Sequence, residues 1–185
     1  MELLNRAYSA ELEIKTRAKG GDGRTIVGIA VPYEYPVRID QSLSEQFARG
    51  AFNHQVNAFH RVKVSREHLK LGGSLIGRPT LLRDDAMGLY SELRVAATSL
   101  GDETIELVKD GALTDLSVAF REKQNRRLPG NILERVTADL FEIAVVLEGA
   151  YGEAANVMAV RSENASLGNL EKARQIIASL PPLPV

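Results

Sequence analysis

Leu113 to Phe120 reads LTDLSVAF, and Leu140 to Leu147 reads LFEIAVVL. Both are short runs of apolar and β-branched residues, the signature of a strand. In the first, Leu116, Val118 and Phe120 alternate with Ser117, Ala119 and Arg121. In the second, period-two alternation places Leu140, Glu142, Ala144 and Val146 on one face. Ser117 lies inside the first run, within LSVAF, and Glu142 is the one polar side chain of the second, each where packing alone would favour an apolar one.

The neighbouring segments read the same way. Ile132 to Thr137 is a strand, and Gly88 to Ala96 (GLYSELRVA) pairs with Thr80 to Arg83 as a hairpin turning at Asp84-Asp85. Val62 to Val64 is a short strand, and Arg66 to Pro79 is a glycine-bearing loop. Near the start, alternation over Glu11 to Arg17 and the run Thr25 to Val31 form a second hairpin across Gly20-Gly21-Asp22-Gly23. Gly28 inside that second arm predicts a bulge. The clearest helix follows Asp102, read as its N-cap. Ile105 and Val108 form its apolar stripe, and Gly111 stands where a left-handed C-terminal glycine belongs. Ser42 and Ser44 predict an N-capped helix over Leu43 to Arg49, with Ala51 to Ala58 adding a turn or two.

After Leu147 the pattern predicts a turn over Gly149 to Gly152 and a last strand over Asn156 to Val160. From Ser162 the polar stretch SENASLGN reads as a linker, Leu170 to Leu180 as a short amphipathic helix, and the end is proline-rich. The predicted organisation is a domain over 1–161 and a tail over 162–185. About seven short strands, two or three short helices and little βαβ alternation define a β-rich α+β class. A small barrel or sandwich flanked by short helices is expected.

Composition narrows the function. In 185 residues, 23 Lys plus Arg balance 24 Asp plus Glu, so the strong basic excess of a dedicated nucleic-acid binder is missing. The absence of cysteine excludes a disulfide scaffold, a thiol nucleophile and thiolate zinc sites. The three histidines lack metal-ligand spacing, so no metal or other cofactor is expected. No apolar run is long enough for a membrane span and no signal layout opens the chain, so a soluble intracellular protein is expected.

Three residues stand out for chemistry. His68 lies in a polar, glycine-rich segment, either as a plain surface histidine or as a base. Ser117 either faces solvent beside a small alanine or is a nucleophile. A nucleophilic serine needs a base, a group to orient that base, and donors for the oxyanion. Glu142 is either ion-paired with an arginine such as Arg121 or Arg135, or is that orienting group, with Asp139 as rival.

Four segments, in order, resemble the prohead maturation proteases of tailed bacteriophages and their prophage or gene-transfer-agent relatives. They are Ala48 to Val56 (ARGAFNHQV), Val64 to Pro79 with Leu75-Ile76-Gly77-Arg78, Ser99 to Phe120, and Asp139 to Tyr151 (DLFEIAVVLEGAY). The resemblance covers roughly residues 10 to 161. Arg66-Glu67 precedes the histidine where the family usually has Phe-Asn, and Gly149 replaces the proline of the last motif. The resemblance implies an assemblin-like β-barrel and a serine endopeptidase with His68 as base and Ser117 as nucleophile. Glu142 matches the family's Phe-Glu position, whereas the related herpesvirus assemblins use a second histidine as third member. The implied work is cleavage of phage major capsid protein or scaffolding protein inside the procapsid, in the host cytoplasm, by a homo-oligomer, dimer included. The resemblance implies no cofactor, nucleic-acid partner or membrane partner. The competing reading is a barrel that assists procapsid assembly without catalysis.

Overall fold

The computed structural model describes residues 3–10, 12–16 and 21–147. The domain boundary at 161/162, the turn at 149–152, the strand at 156–160 and the tail helix lie outside them. Ten strands and one α-helix make up the regular structure of the described residues. They are β1 (Leu4–Ser9), β2 (Glu13–Lys15), β3 (Thr25–Pro32), β4 (Val37–Arg38), β5 (Ser44–Phe47), β6 (Lys63–Arg66), β7 (Ser74–Asp84), β8 (Gly88–Val95), α1 (Ser99–Asp110), β9 (Asp115–Leu128) and β10 (Ile132–Val146). Short 3₁₀ turns at Asn53–Gln55, Phe59–Arg61 and Leu69–Leu71 complete the list.

The strands form one sheet in the order β1-β9-β10-β6-β7-β8-β3-β2, with β5 added to β10 and β4 to β5. The sheet curls so that β3 meets β9 and β1 across its interior. It is a half-barrel: among the described residues the path runs from β1 to β2 without closing, where the sequence predicts a small barrel. Most pairings are antiparallel, but β10 runs parallel to both β5 and β6. The concave face buries Ile26, Val31, Leu89, Leu93, Leu116, Phe120, Leu140 and Ile143. Phe47 sits 5.3 Å from Phe52 and meets Phe120 edge-on at 4.9 Å, a geometry that suits the ring quadrupoles.

Several local expectations change. Leu113–Phe120 and the two following predicted strands are parts of one long hairpin, β9–β10, turning through Gly130 (φ +80°) and Asn131 (φ +57°). Its polar outer arm, Arg121 to Arg127, is held by its partner rather than by its own apolar content. The predicted helix over Leu43 to Arg49 is strand β5. A seven-residue helix is marginal alone, and pairing of Ser44–Phe47 with Ile132–Arg135 plus burial of Phe47 among rings decides the conformation. Strand β7 begins at Ser74, inside the predicted loop. Strand β1, unread in the sequence, pairs along Asp115 to Phe120. The irregularity in β3 falls between Ile29 and Val31, while Gly28 stays in register with Ser91. Helix α1 is capped by Thr98, whose Oγ1 accepts the Gly101 N–H at 3.1 Å, and Asp102 lies in the first turn. There its negative charge still suits the helix dipole. Gly111 ends the helix at φ +79°, as the sequence predicts.

Candidate active site

Three adjacent strands carry the candidate residues. Ser117 of β9 is in register with Ala144 of β10, and Ala144 with Ser65 of β6. One step along, Ala119, Glu142 and Lys63 share a row. This alignment depends on one irregularity. Leu140 pairs with Phe120 but Glu142 pairs with Ala119, so Phe141 is an extra residue in β10. Side chains alternate along a strand, so one inserted residue reverses everything after it. The bulge therefore turns Glu142 away from the face of Leu140 and onto the face of Ala119 and Ser117. This corrects the single-face reading of Leu140 and Glu142. The displaced Phe141 is partly exposed, with the Arg121 guanidinium 4.7 Å from its ring centre.

His68 is delivered by the end of β6. The Glu67 N–H bonds the Val145 carbonyl at 3.1 Å, which keeps the chain on β10, and Glu67 adopts a left-handed φ of +56°. The chain then turns through Leu69–Leu71, and the Gly73 N–H returns to the His68 carbonyl at 2.9 Å. A Cβ on Gly73 would lie 2.3 Å from the Glu67 carbonyl oxygen, so only glycine permits this tight return.

The geometry brings all three sequence-predicted residues together. His68 Nε2 lies 2.6 Å from Ser117 Oγ, and His68 Nδ1 lies 3.0 Å from Glu142 Oε2. Glu142 Oε1 accepts the Leu69 N–H at 3.0 Å and the Ser65 hydroxyl. Ser117, His68 and Glu142 are buried, at 3%, 2% and 5% exposure, so the solvent-facing readings of Ser117 and His68 do not hold. Because an ionised carboxylate only accepts, a neutral His68 carries its proton on Nδ1. Nε2 is then free to accept from the Ser117 hydroxyl. Burial by itself pushes the Glu142 carboxyl up, but hydrogen bonds from His68, Ser65 and Leu69 outweigh that and hold it below its usual range. A hydroxyl on an imidazole whose far nitrogen is held by a carboxylate can perform base-assisted nucleophilic attack.

The rivals go elsewhere. Asp139 pairs with His54 at 2.8 Å and Lys123 at 3.3 Å. Arg121 stacks on Phe141, and Arg135 pairs with Glu45 and Glu122, so neither is the ion-pair partner of Glu142. Sequence reading missed Ser65 and the Phe141 bulge. Ser65 had one available signal, a small polar residue on a β-branched strand three positions before His68. The bulge had none. Beside the His68 turn, a cleft of about 270 Å³ opens between Arg66, Glu67, Leu71, Gly72, Gly73, Ser74 and Leu100. Among the described residues, no group of three His, Asp or Glu side chains is placed to hold a metal ion, and no helix is long and apolar enough to cross a membrane.

A β-rich half-barrel presenting a serine, a histidine and a carboxylate in hydrogen-bonded series has the layout of a serine peptidase. The chain matches the model of the caudovirus prohead serine proteases over residues 11–167, and it belongs to that family. Its fold is similar to the bacteriophage T4 capsid assembly protease gp21, with a TM-score of 0.53, 12% identity, and coverage of 78% of this chain and 97% of that one. No curated protein matches it in sequence. Membership of the family makes the chain a prohead protease of the serine class, with a role in capsid maturation.

Proposed function

We propose that Ser117 is the nucleophile, His68 the general base and Glu142 the residue that orients it, in an endopeptidase that cuts capsid or scaffolding protein. The observation that carries this reading is the continuous series Ser117 Oγ to His68 Nε2 at 2.6 Å and His68 Nδ1 to Glu142 at 3.0 Å. His68 takes the Ser117 proton as Oγ attacks the scissile carbonyl. Glu142 stabilises the resulting imidazolium without becoming protonated. His68 then gives the proton to the leaving amine, and water, deprotonated by His68, releases the acyl group. The backbone of β9 around Ser117 is engaged by β1 on one side and β10 on the other. Donors for the oxyanion therefore come from outside this ladder.

The same reading places the work inside the procapsid in the host cytoplasm, on the major capsid protein or a scaffolding protein or segment, by a homo-oligomer. No metal or other cofactor takes part. The curled sheet is read as a distant relative of the herpesvirus assemblins. The tail over 162–185 is read as separate from the domain over 1–161.

The deciding experiment is co-expression with the capsid and scaffolding proteins of the same phage genome, comparing the intact chain with Ser117→Ala. Cleavage by the wild type and none by the variant is expected. Equal processing by both would refute the nucleophile, and activity abolished by a chelator and restored by zinc would refute the metal-free mechanism.

A further inference from the structure

We propose that Ser65 is a positioning residue whose hydroxyl fixes the Glu142 carboxylate in the orientation that sets the His68 tautomer; this rests on the triad reading above. Ser65 is fully buried on β6, flanked by the buried Val64. A buried hydroxyl costs free energy unless it is hydrogen-bonded, and an apolar side chain would pack there without that cost. Serines on strands often satisfy themselves on nearby backbone. Ser65 instead donates to Glu142 Oε1, 77 residues away in sequence.

The consequence is an asymmetric carboxylate. Oε1 receives two donors, the Ser65 hydroxyl and the Leu69 N–H, while Oε2 receives His68 Nδ1–H. The last torsion of a glutamate is broad and two-fold, so nothing intrinsic holds Oε2 toward the imidazole. The two donors on Oε1 do. They also come from the same short segment as the base itself: Ser65, His68 and Leu69 lie within five residues at the end of β6. Base and orienting group are thereby held to each other directly, and Ala144, small and in register between Ser117 and Ser65, leaves space above the sheet for the ring.

Other charged groups nearby are engaged elsewhere or point outward. Arg66 is paired with Glu103 of α1, Glu67 accepts the Leu147 N–H, and Asp139 is paired with His54 and Lys123. Arg121 stacks on Phe141. Lys63, in register with Glu142, is exposed. Asp115 is buried two residues before Ser117, with the Thr114 hydroxyl bonded to it. The hydrogen bonds to Glu142 are those of His68, Ser65 and Leu69.

The test is labelling of the full chain by a fluorophosphonate, which reports nucleophile activation without a known peptide substrate. Rates are followed against pH for wild type, Ser65→Ala, Ser65→Thr and Ser117→Ala. In Ser65→Ala the limiting labelling rate should fall about tenfold or more, since the lost bond is to a charged group. The half-saturating reagent concentration should stay unchanged, because Ser65 is away from the reagent. The acid limb of the profile should also move, because Ser65 acts on the carboxylate that faces the imidazole. Ser65→Thr, which keeps the hydroxyl, should restore most of the rate. Wild-type rate and profile in a folded Ser65→Ala protein would overturn the proposal. So would a loss equal in Ser65→Ala and Ser65→Thr with no change in the acid limb, which marks a purely structural role. Failure of the triad reading looks different: Ser117→Ala would then label as the wild type does, or the wild type would not label at Ser117.

Discussion

The two ends of strand β10 both bury carboxylates against side-chain donors, yet only one end is built to move a proton. At the outer end, Glu134 is held by Arg126 and Gln46, and Glu45 by Arg135 and Arg6, all near β5. At the inner end, Glu142 is held by His68, Ser65 and the Leu69 N–H. An arginine cannot be deprotonated in a protein, so the outer pairs are permanent ties between β1, β5, β9 and β10. An imidazole can both accept and release a proton, so the inner pair has a second state available to it. Burial and hydrogen bonding are alike at the two ends. The titratability of the partner separates a clamp from a candidate catalytic series.

Substitutions at the two ends should therefore fail in different ways. The largest effect is expected for Ser117→Ala and His68→Ala. Either should reduce cleavage by about a millionfold, to background, because members of a catalytic unit fail together. Circular dichroism and melting temperature should remain close to wild type. A folded His68→Ala protein with substantial activity would remove the base from the mechanism.

Glu142→Gln comes next. An amide can donate to Nδ1 and so drive the imidazole proton to Nε2, where it can no longer accept from Ser117. Turnover of co-expressed substrate should fall by about a thousandfold to ten-thousandfold, less than for Ser117→Ala. A loss under tenfold would show that another group orients His68.

At the outer end the expectation reverses. Arg135→Met leaves the buried Glu45 with Arg6 alone, and breaking a buried ion pair costs about 3 kcal/mol or more. For a chain of this size that is a fall in melting temperature of roughly 6–12 °C. Activity per folded molecule should be unchanged below the transition. Adding Glu45→Leu should recover part of the loss, since the buried carboxylate that lost its closest-packed partner is then gone too. Loss of activity in folded Arg135→Met would show that the two ends are coupled along β10.

This contrast also explains what could be read in advance. The inner halves of β9 and β10 were legible because their own residues are β formers, and Gly111 marked the end of α1. Strand β5 was misread because SEQF has no strand pattern of its own. Its conformation comes from β10 and from the slot between Phe52 and Phe120. The triad residues were nameable only through family resemblance, since the residues alone left each of them two readings. Spacing also put Glu142 on the wrong face, because a bulge at Phe141 leaves no mark in a run as apolar as LFEIAVVL. The charged outer network was invisible for the same reason as β5: Glu45 and Arg135 are 90 positions apart and meet only through a parallel pairing.

The smallest effect expected concerns acid, and it distinguishes the ends thermodynamically. Glu142 is held below its ordinary carboxylate range in the fold, despite burial, by His68, Ser65 and the Leu69 N–H. A carboxylate depressed in the native state contributes stability that is fully present above its unfolded pKa and is lost as pH falls through its folded pKa. Glu142→Gln removes that titration, so the melting temperature of wild type minus that of the variant should be positive near neutrality. It should be smaller than the loss in Arg135→Met, and should shrink as the pH falls below about 4, the ordinary glutamate range. Other carboxylates titrate in both proteins and largely cancel in the difference. Melting curves of the pair between pH 7 and pH 3 make the comparison. A difference that grows with acid would mean that Glu142 is stabilised in its protonated form, and its hydrogen bonds would then have to be reassigned with the carboxyl as donor.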